Sequence, residues 1–284
     1  MAEFYVHTEL GRLAVRAIGD GPPVVLWHSM FVDSHSWDRL IPELAGRSLF
    51  LIDGPSAGRS DRMRTPADIS ACARAAVTVV EEICRRTGVD RVDWVGNAWG
   101  GHVGLELAAR RTDLLSTLVA ISAPTFPIDD AIRRQINTLL PIYRLIGPRG
   151  PVRSAVVTAL FTDATRAHDP SAVAIAESSL RLSGRAMVPA IVTAILRRTD
   201  LEWAARQLTC PVLFVTTDDR GEWTAEQARP VAECMADARV VEISGARLIP
   251  ALEQPTATGA AIRRFWAEVG VGTWVRLPHG SSQP

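Results

Sequence analysis

The sequence predicts an α/β fold: a mostly parallel, eight-stranded sheet flanked by helices, with a helical cap insertion. Three observations carry this. Continuous apolar runs such as Pro23–His28 and Pro211–Thr216 have the length and composition of strands buried on both faces. Segments of helical periodicity alternate with them, as crossover connections in a parallel sheet require. The strand rhythm then stops at Pro124 and resumes only after about Arg206.

Taken in order, Phe4–Thr8 and Leu13–Ala17 alternate apolar and polar residues around Glu9-Leu10-Gly11, an antiparallel hairpin. Pro23–His28 is the first buried strand, followed by a helix from about Ser36, its cap, to Leu44. Ser48–Ile52 is the next strand, and Asp68 to Arg86 a helix just after Pro66. Arg91–Val95 (strand), Ala98 to Arg110 (helix) and Leu115–Ile121 (strand) follow. Helical segments fill 124–206, broken at Gly147-Pro148, Gly150-Pro151 and Asp169-Pro170. Strand Pro211–Thr216, a helix from about Trp223, strand Arg239–Ile243 and helix Thr256–Trp266 complete the chain, and Leu277–Pro284 reads as a disordered tail. The expected organisation is a core of 1–123 and 207–284, with 124–206 as a cap over the sheet's C-terminal edge, where open α/β folds bind ligands.

Composition narrows the function. Hydrophobic residues make up 47% and charged residues 22% of the 284, and the formal net charge is zero with no basic run, so no nucleic-acid partner is expected. All 31 basic residues are Arg, which rules out lysine Schiff-base chemistry. The start lacks a basic leader, and no stretch of about 18 uninterrupted apolar residues occurs, which predicts a cytoplasmic chain with no membrane partner. Cys72, Cys84, Cys210 and Cys234 lack metal-like spacing; Cys72, Cys84 and Cys234 fall in helical patterns and read as buried free thiols. No phosphate loop, dinucleotide fingerprint or metal-ligand cluster is present, so neither metal nor cofactor is expected.

The chemistry-bearing string is Val95-Gly96-Asn97-Ala98-Trp99-Gly100-Gly101, set between a strand and a helix. It resembles the nucleophile elbow, G-x-S-x-G, of the α/β-hydrolases. The likeness extends over Trp27-His28-Ser29-Met30, which resembles the family's His-Gly-x loop, over Asp53 to Asp61, and over Glu253-Gln254-Pro255 with Phe265. Within the superfamily the elbow is most similar to those of carbon–carbon bond hydrolases and their esterase relatives. The resemblance implies an oxyanion hole formed by the backbone N–H groups of Met30 and Trp99, with Ser29 standing where the family has Gly.

The same alignment of patterns implies an emptied Ser-His-Asp triad. Ala98 occupies the nucleophile position, Leu248 the histidine position and Arg220 the acid position, with Asp219 one residue early. An engineered trap would need Ala98 alone; the simultaneous Leu248 points to natural loss. Replacement catalytic groups are His28 and Asp219. Trp99 and Trp37 are expected as aromatic pocket walls, Ser29 and Asn97 as polar lining, and Arg220 and Arg247 either as a structural plug or as an anion site. His35 and Asp33 read as solvated loop residues, and His102 as a satisfied core histidine.

Three functions fit these residues. The leading expectation is a non-hydrolytic enzyme of cyclase, isomerase or lyase type, acting on a small apolar carbonyl-containing or polyketide-like molecule under the cap. A non-catalytic small-molecule receptor is the second, and a divergent esterase-like or carbon–carbon bond hydrolase with a relocated base the third. The chain is expected as a monomer or homodimer whose partner is that small molecule.

Overall fold

A computed structural model describes residues 2–219 and 222–270; Arg220 and the expected tail Leu277–Pro284 lie outside the described residues. Eight strands form one sheet: β1 (Ala2–Thr8), β2 (Gly11–Ile18), β3 (Pro23–Trp27), β4 (Ser48–Ile52), β5 (Val92–Asn97), β6 (Leu115–Ile121), β7 (Val212–Thr217) and β8 (Ala238–Ile243). Their spatial order is β1-β2-β4-β3-β5-β6-β7-β8. The pairs β1/β2 and β2/β4 are antiparallel and all others parallel.

Both faces of the central strands are buried, which is why they read as unbroken apolar runs. Along β3, Val25 and Trp27 join one core with Phe50, Trp94 and Val79, while Val24 and Leu26 join a second with Leu51, Val119, Phe265 and Trp266. Helices α1 (Ile69–Thr87) and α2 (Trp99–Arg110) cover the first face. Asp68 caps α1 by accepting from the Ala71 N–H at 2.7 Å, and Gly88 ends it at φ 71°.

Between β6 and β7 the chain runs through helices alone: α3 (Asp130–Ile146), α4 (Gly150–Leu160), α5 (Asp163–His168), α6 (Pro170–Ser183), α7 (Val188–Ile191) and α8 (Glu202–Ala205). A single π turn, Val192–Leu196, follows α7. Helices α9 (Ala225–Glu233), α10 (Pro250–Glu253) and α11 (Pro255–Glu268) complete the described chain. Averaged over 18 residues, the run Pro170–Leu196 is long and apolar enough to cross a membrane, although no uninterrupted apolar stretch is; half of that window is buried within the fold. The helical segment is tied to the sheet layer by Arg39, whose Nη2 donates to Asp169 Oδ1 at 2.8 Å and holds that carboxyl below its usual range.

Two expectations fail locally. The helix placed at Ser36–Leu44 is instead two 3₁₀ turns, Ser34–Trp37 and Ile41–Leu44. The cap is Asp33, which accepts from the His35 N–H, and Pro42 enters the second turn where a continuous helix would need a backbone donor. Cys234 is exposed at the end of α9 rather than buried, whereas Cys72 is buried and its thiol is pushed up to about 12 by desolvation.

Candidate functional site

Strand β5 feeds helix α2 through a single residue, Ala98, at φ 46° and ψ −102°. Its N–H donates to the Ile121 carbonyl at 2.7 Å, and its own carbonyl accepts from the His102 N–H at 2.9 Å. The turn closes only because its neighbours are small: a Cβ at Gly96 would lie 2.1 Å from the Gly100 oxygen, and one at Gly100 would lie 2.0 Å from the Trp27 oxygen. Ala98 thus stands at the apex of an intact elbow. The amides of Trp99, Gly100 and Gly101 open α2 and have no acceptor within the helix.

Across from the apex, the loop after β8 presents Leu248. Its N–H donates to the Leu160 carbonyl at 3.3 Å, and its carbonyl accepts from Asn97 Nδ2 at 2.9 Å. The preceding Arg247 is buried: Nη2 pairs with Asp219 Oδ2 at 2.8 Å, and Nη1 donates to the Thr158 carbonyl of α4 at 2.5 Å. Arg247 therefore bolts the helical segment to the ends of β7 and β8.

Between the elbow and the helical segment lies a cavity of about 160 Å³. Met30, Trp99 and Leu248 line it from the sheet side, and Ile136, Val156 and Ile195 from the helices. Four non-glycine residues have positive φ among those described, and three of them, Phe31, Ala98 and Ser122, line this one cavity. Such strain concentrates where a fold over-determines a site. The π turn also contributes, through Ala194 and Ile195. The polar lining comprises Ser29, Ser122, His102, Gln135, Arg198 and Glu222.

An α/β-hydrolase fold family model matches residues 22–142, which contain the elbow. An esterase from Thermogutta terrifontis superposes over 95% of this chain and 99% of its own at a TM-score of 0.83 and 21% identity. The chain has the α/β-hydrolase fold. The enol-lactonase from Burkholderia xenovorans LB400 superposes over 93% of this chain and all of its own, at a TM-score of 0.81 and 20% identity. In sequence, a protein named as a carbamate hydrolase, RutD from Pseudomonas savastanoi pv. phaseolicola, is 27% identical over 233 residues, covering 78% of this chain and 85% of its own length. Other relatives match over less: protein Rv2715 of Mycobacterium tuberculosis is 29% identical over 115 residues, 39% of this chain and about a third of that protein.

On this α/β-hydrolase scaffold the residues singled out in the sequence separate. Ala98, Trp99, Met30, Ser29 and Leu248 meet at the cavity. His28 does not line it. It is fully buried, its Nε2 accepts from the Gly54 N–H at 2.8 Å, and its Nδ1 lies 2.6 Å from the Ser29 carbonyl, so the ring is neutral and braces the Ser29 loop. Burial lowers its pKa, with the Ser29 carbonyl partly opposing. Trp37 is not a pocket wall either: it sits in the second core with Leu40 and Phe265, beneath the opposite face of the sheet. Asn97 lies just behind the lining and donates to the Ile121 and Leu248 carbonyls at 3.2 and 2.9 Å. Asp219 and Arg247 pair with each other outside the cavity. Asp33, expected in a solvated loop, is buried and accepts from the His35 N–H at 3.0 Å.

Sequence reasoning missed Arg198, Ser122 and Glu222, and read His102 as a satisfied core residue. Its Nε2 reaches the Pro124 carbonyl at 3.1 Å, but its Nδ1 has no partner and the residue lines the cavity. The available signal was its position one helical turn beyond Ala98, on the face of α2 that the elbow turns toward the pocket.

Proposed function

We propose that this chain holds a small, largely apolar, carbonyl-containing molecule in the cavity and acts on it without a covalent acyl intermediate, as a non-hydrolytic enzyme of isomerase, cyclase or lyase type. The observation that carries the reading is Ala98 at the apex of an elbow that keeps its strained geometry and close glycine contacts. A methyl group cannot attack a carbonyl, and Leu248 opposite it cannot move a proton.

Several features support a retained site rather than an abandoned one. Related proteins carry the names esterase, enol-lactonase and carbamate hydrolase, so pockets on this scaffold accommodate small molecules with polarised carbonyl groups. Backbone donors at the start of α2 do not depend on the lost hydroxyl, and binding with oriented amides retains rate enhancement when triad groups are absent. Positioning in a cavity whose walls are mostly apolar favours unimolecular steps such as ring closure, double-bond migration or elimination. His28 is not placed to be a relocated hydrolytic base, because its Nε2 lone pair already accepts from Gly54; the unpartnered histidine nitrogen at the cavity is His102 Nδ1.

The test is turnover of a panel of activated aryl esters by the native chain and by His28→Ala. The reading predicts hydrolysis at the buffer rate for both folded proteins. Saturable turnover by the native chain, whether or not it collapses in His28→Ala, would make this a divergent hydrolase instead.

A further inference from the structure

The cavity collects buried polar atoms that nothing among the described residues satisfies. Ser29 Oγ, Ser122 Oγ, His102 Nδ1 and both Nε and Nη2 of Arg198 lack partners, and all four residues line it. Ser29 is 1% exposed, His102 2%, Ser122 3% and Arg198 6%. Folded interiors pair nearly all such groups, so this concentration marks where a ligand's polar atoms belong.

Arg198 defines the shape of that ligand's head. Its Nη1 donates to Glu222 Oε2 at 2.8 Å. The two unused donors, Nε–H and Nη2–H, lie side by side along one edge of the guanidinium. That edge grips carboxylates elsewhere in this molecule: Arg85 holds Glu82 with it at 2.9 and 2.7 Å, and Arg111 holds Asp113 at 2.9 and 2.8 Å. A pair of parallel donors matches the two oxygens of a carboxylate.

The charges and the second orphan, His102, set the proton balance. A carbonyl oxygen only accepts, so the contact with Pro124 places the His102 proton on Nε2 and leaves Nδ1 a bare lone pair. Among the described residues, Arg198 and Glu222 are the charged members of the cavity lining, and they offset one another. Arg198 is, among the described residues, the charged group that bears on His102, while Glu106, one turn further along α2, is engaged by Ser70 and Arg110. A carboxylate on the open edge of Arg198 would leave one uncompensated negative charge in a buried site, a costly state unless a proton accompanies it.

Building on the reading that the cavity holds the ligand, we infer that it is a site for a small apolar carboxylic acid, clasped by the Nε/Nη2 edge of Arg198 and bound with uptake of one proton at His102 Nδ1. No bond to carbon is made or broken in this step. The carboxylate keeps its electrons, and the proton comes from solvent. The body that fits is of benzene size, since cavities of about 150 Å³ accept benzene.

Calorimetry on the full chain with benzoate, acetophenone and benzyl alcohol, in buffers of different ionisation enthalpy, tests this. The expected result is saturable benzoate binding with uptake approaching one proton at pH 7.5, and an affinity falling about tenfold per pH unit above that. Arg198→Gln weakens benzoate at least tenfold and weakens acetophenone far less. Should that variant fail to fold, the ¹⁵N shifts of His102 in the native protein decide: benzoate must convert Nδ1 to a protonated nitrogen. Acetophenone binding as tightly as benzoate, with no proton uptake, overturns the inference and leaves the proposed function standing. Absence of benzoate binding to the folded native chain overturns it as well.

Discussion

Asn97 Nδ2 donates to the Leu248 carbonyl at 2.9 Å, joining the residue before the elbow apex to the residue that faces it from the loop after β8. The same amide donates to Ile121 at 3.2 Å, so one buried side chain fixes the ends of β5 and β6 and the Leu248 loop. Asn97→Leu keeps the branching and the number of side-chain heavy atoms, in a somewhat larger volume, and removes both donors. The Ile121 carbonyl retains the Ala98 N–H, whereas the Leu248 carbonyl loses this partner. Chemical denaturation should show a loss of about 1–3 kcal/mol, the cost of an unsatisfied buried acceptor. An unchanged midpoint would mean that the Leu248 loop is held by other means.

Ala98 gives the second prediction. Glycine at an ordinary ordered position costs about 0.5–1 kcal/mol relative to alanine. At φ 46° and ψ −102° the alanine is strained by about 1–3 kcal/mol, which glycine relieves. Ala98→Gly should therefore leave the thermal midpoint unchanged or raise it. A fall of several degrees, as at a relaxed site, would contradict the elbow geometry.

Acid sensitivity follows from His28 and His102, both held below the ordinary histidine pKa by burial. Above about pH 6.5 both are neutral whether folded or not, and stability is unaffected. Below it the unfolded chain takes up protons that the folded chain refuses, so stability falls as pH drops, by up to about 1.4 kcal/mol per unit for each ring. The depressed carboxyl of Asp169 adds its loss only below about pH 4, and His35, whose pKa is raised by its bond to Asp33, adds an opposing slope as pH falls, so the two buried rings are read in a His35→Gln background. Urea unfolding at pH 7.5 and 5.5 should show this slope, reduced by about half in His102→Gln. A flat profile would mean that neither ring stays neutral.

The sheet and its order of elements were legible in the sequence because strands buried on both faces leave unbroken apolar runs, and the elbow was legible because close backbone packing demands Gly96 and Gly100. Local exceptions came from turn chemistry: Asp33 and Pro42 convert an amphipathic stretch into two 3₁₀ turns. The cavity's polar lining was hidden for a different reason. Arg198 and Glu222 are 24 positions apart and Ser122 directly follows β6, so it takes the sheet pairing and the helical segment together to bring them to one cavity with His102. Conversely, Trp37 carried the composition of a pocket wall but, at the end of the 3₁₀ turn Ser34–Trp37, packs on the other face of the sheet.

Intact-protein mass spectrometry after incubation with p-nitrophenyl butyrate and an aryl fluorophosphonate tests the central claim, chemistry without a covalent intermediate, most directly. The account predicts the unmodified mass for the native chain with both reagents. A stoichiometric butyryl or phosphonyl adduct on a residue lining the cavity would show that a nucleophile has been kept, and would contradict it.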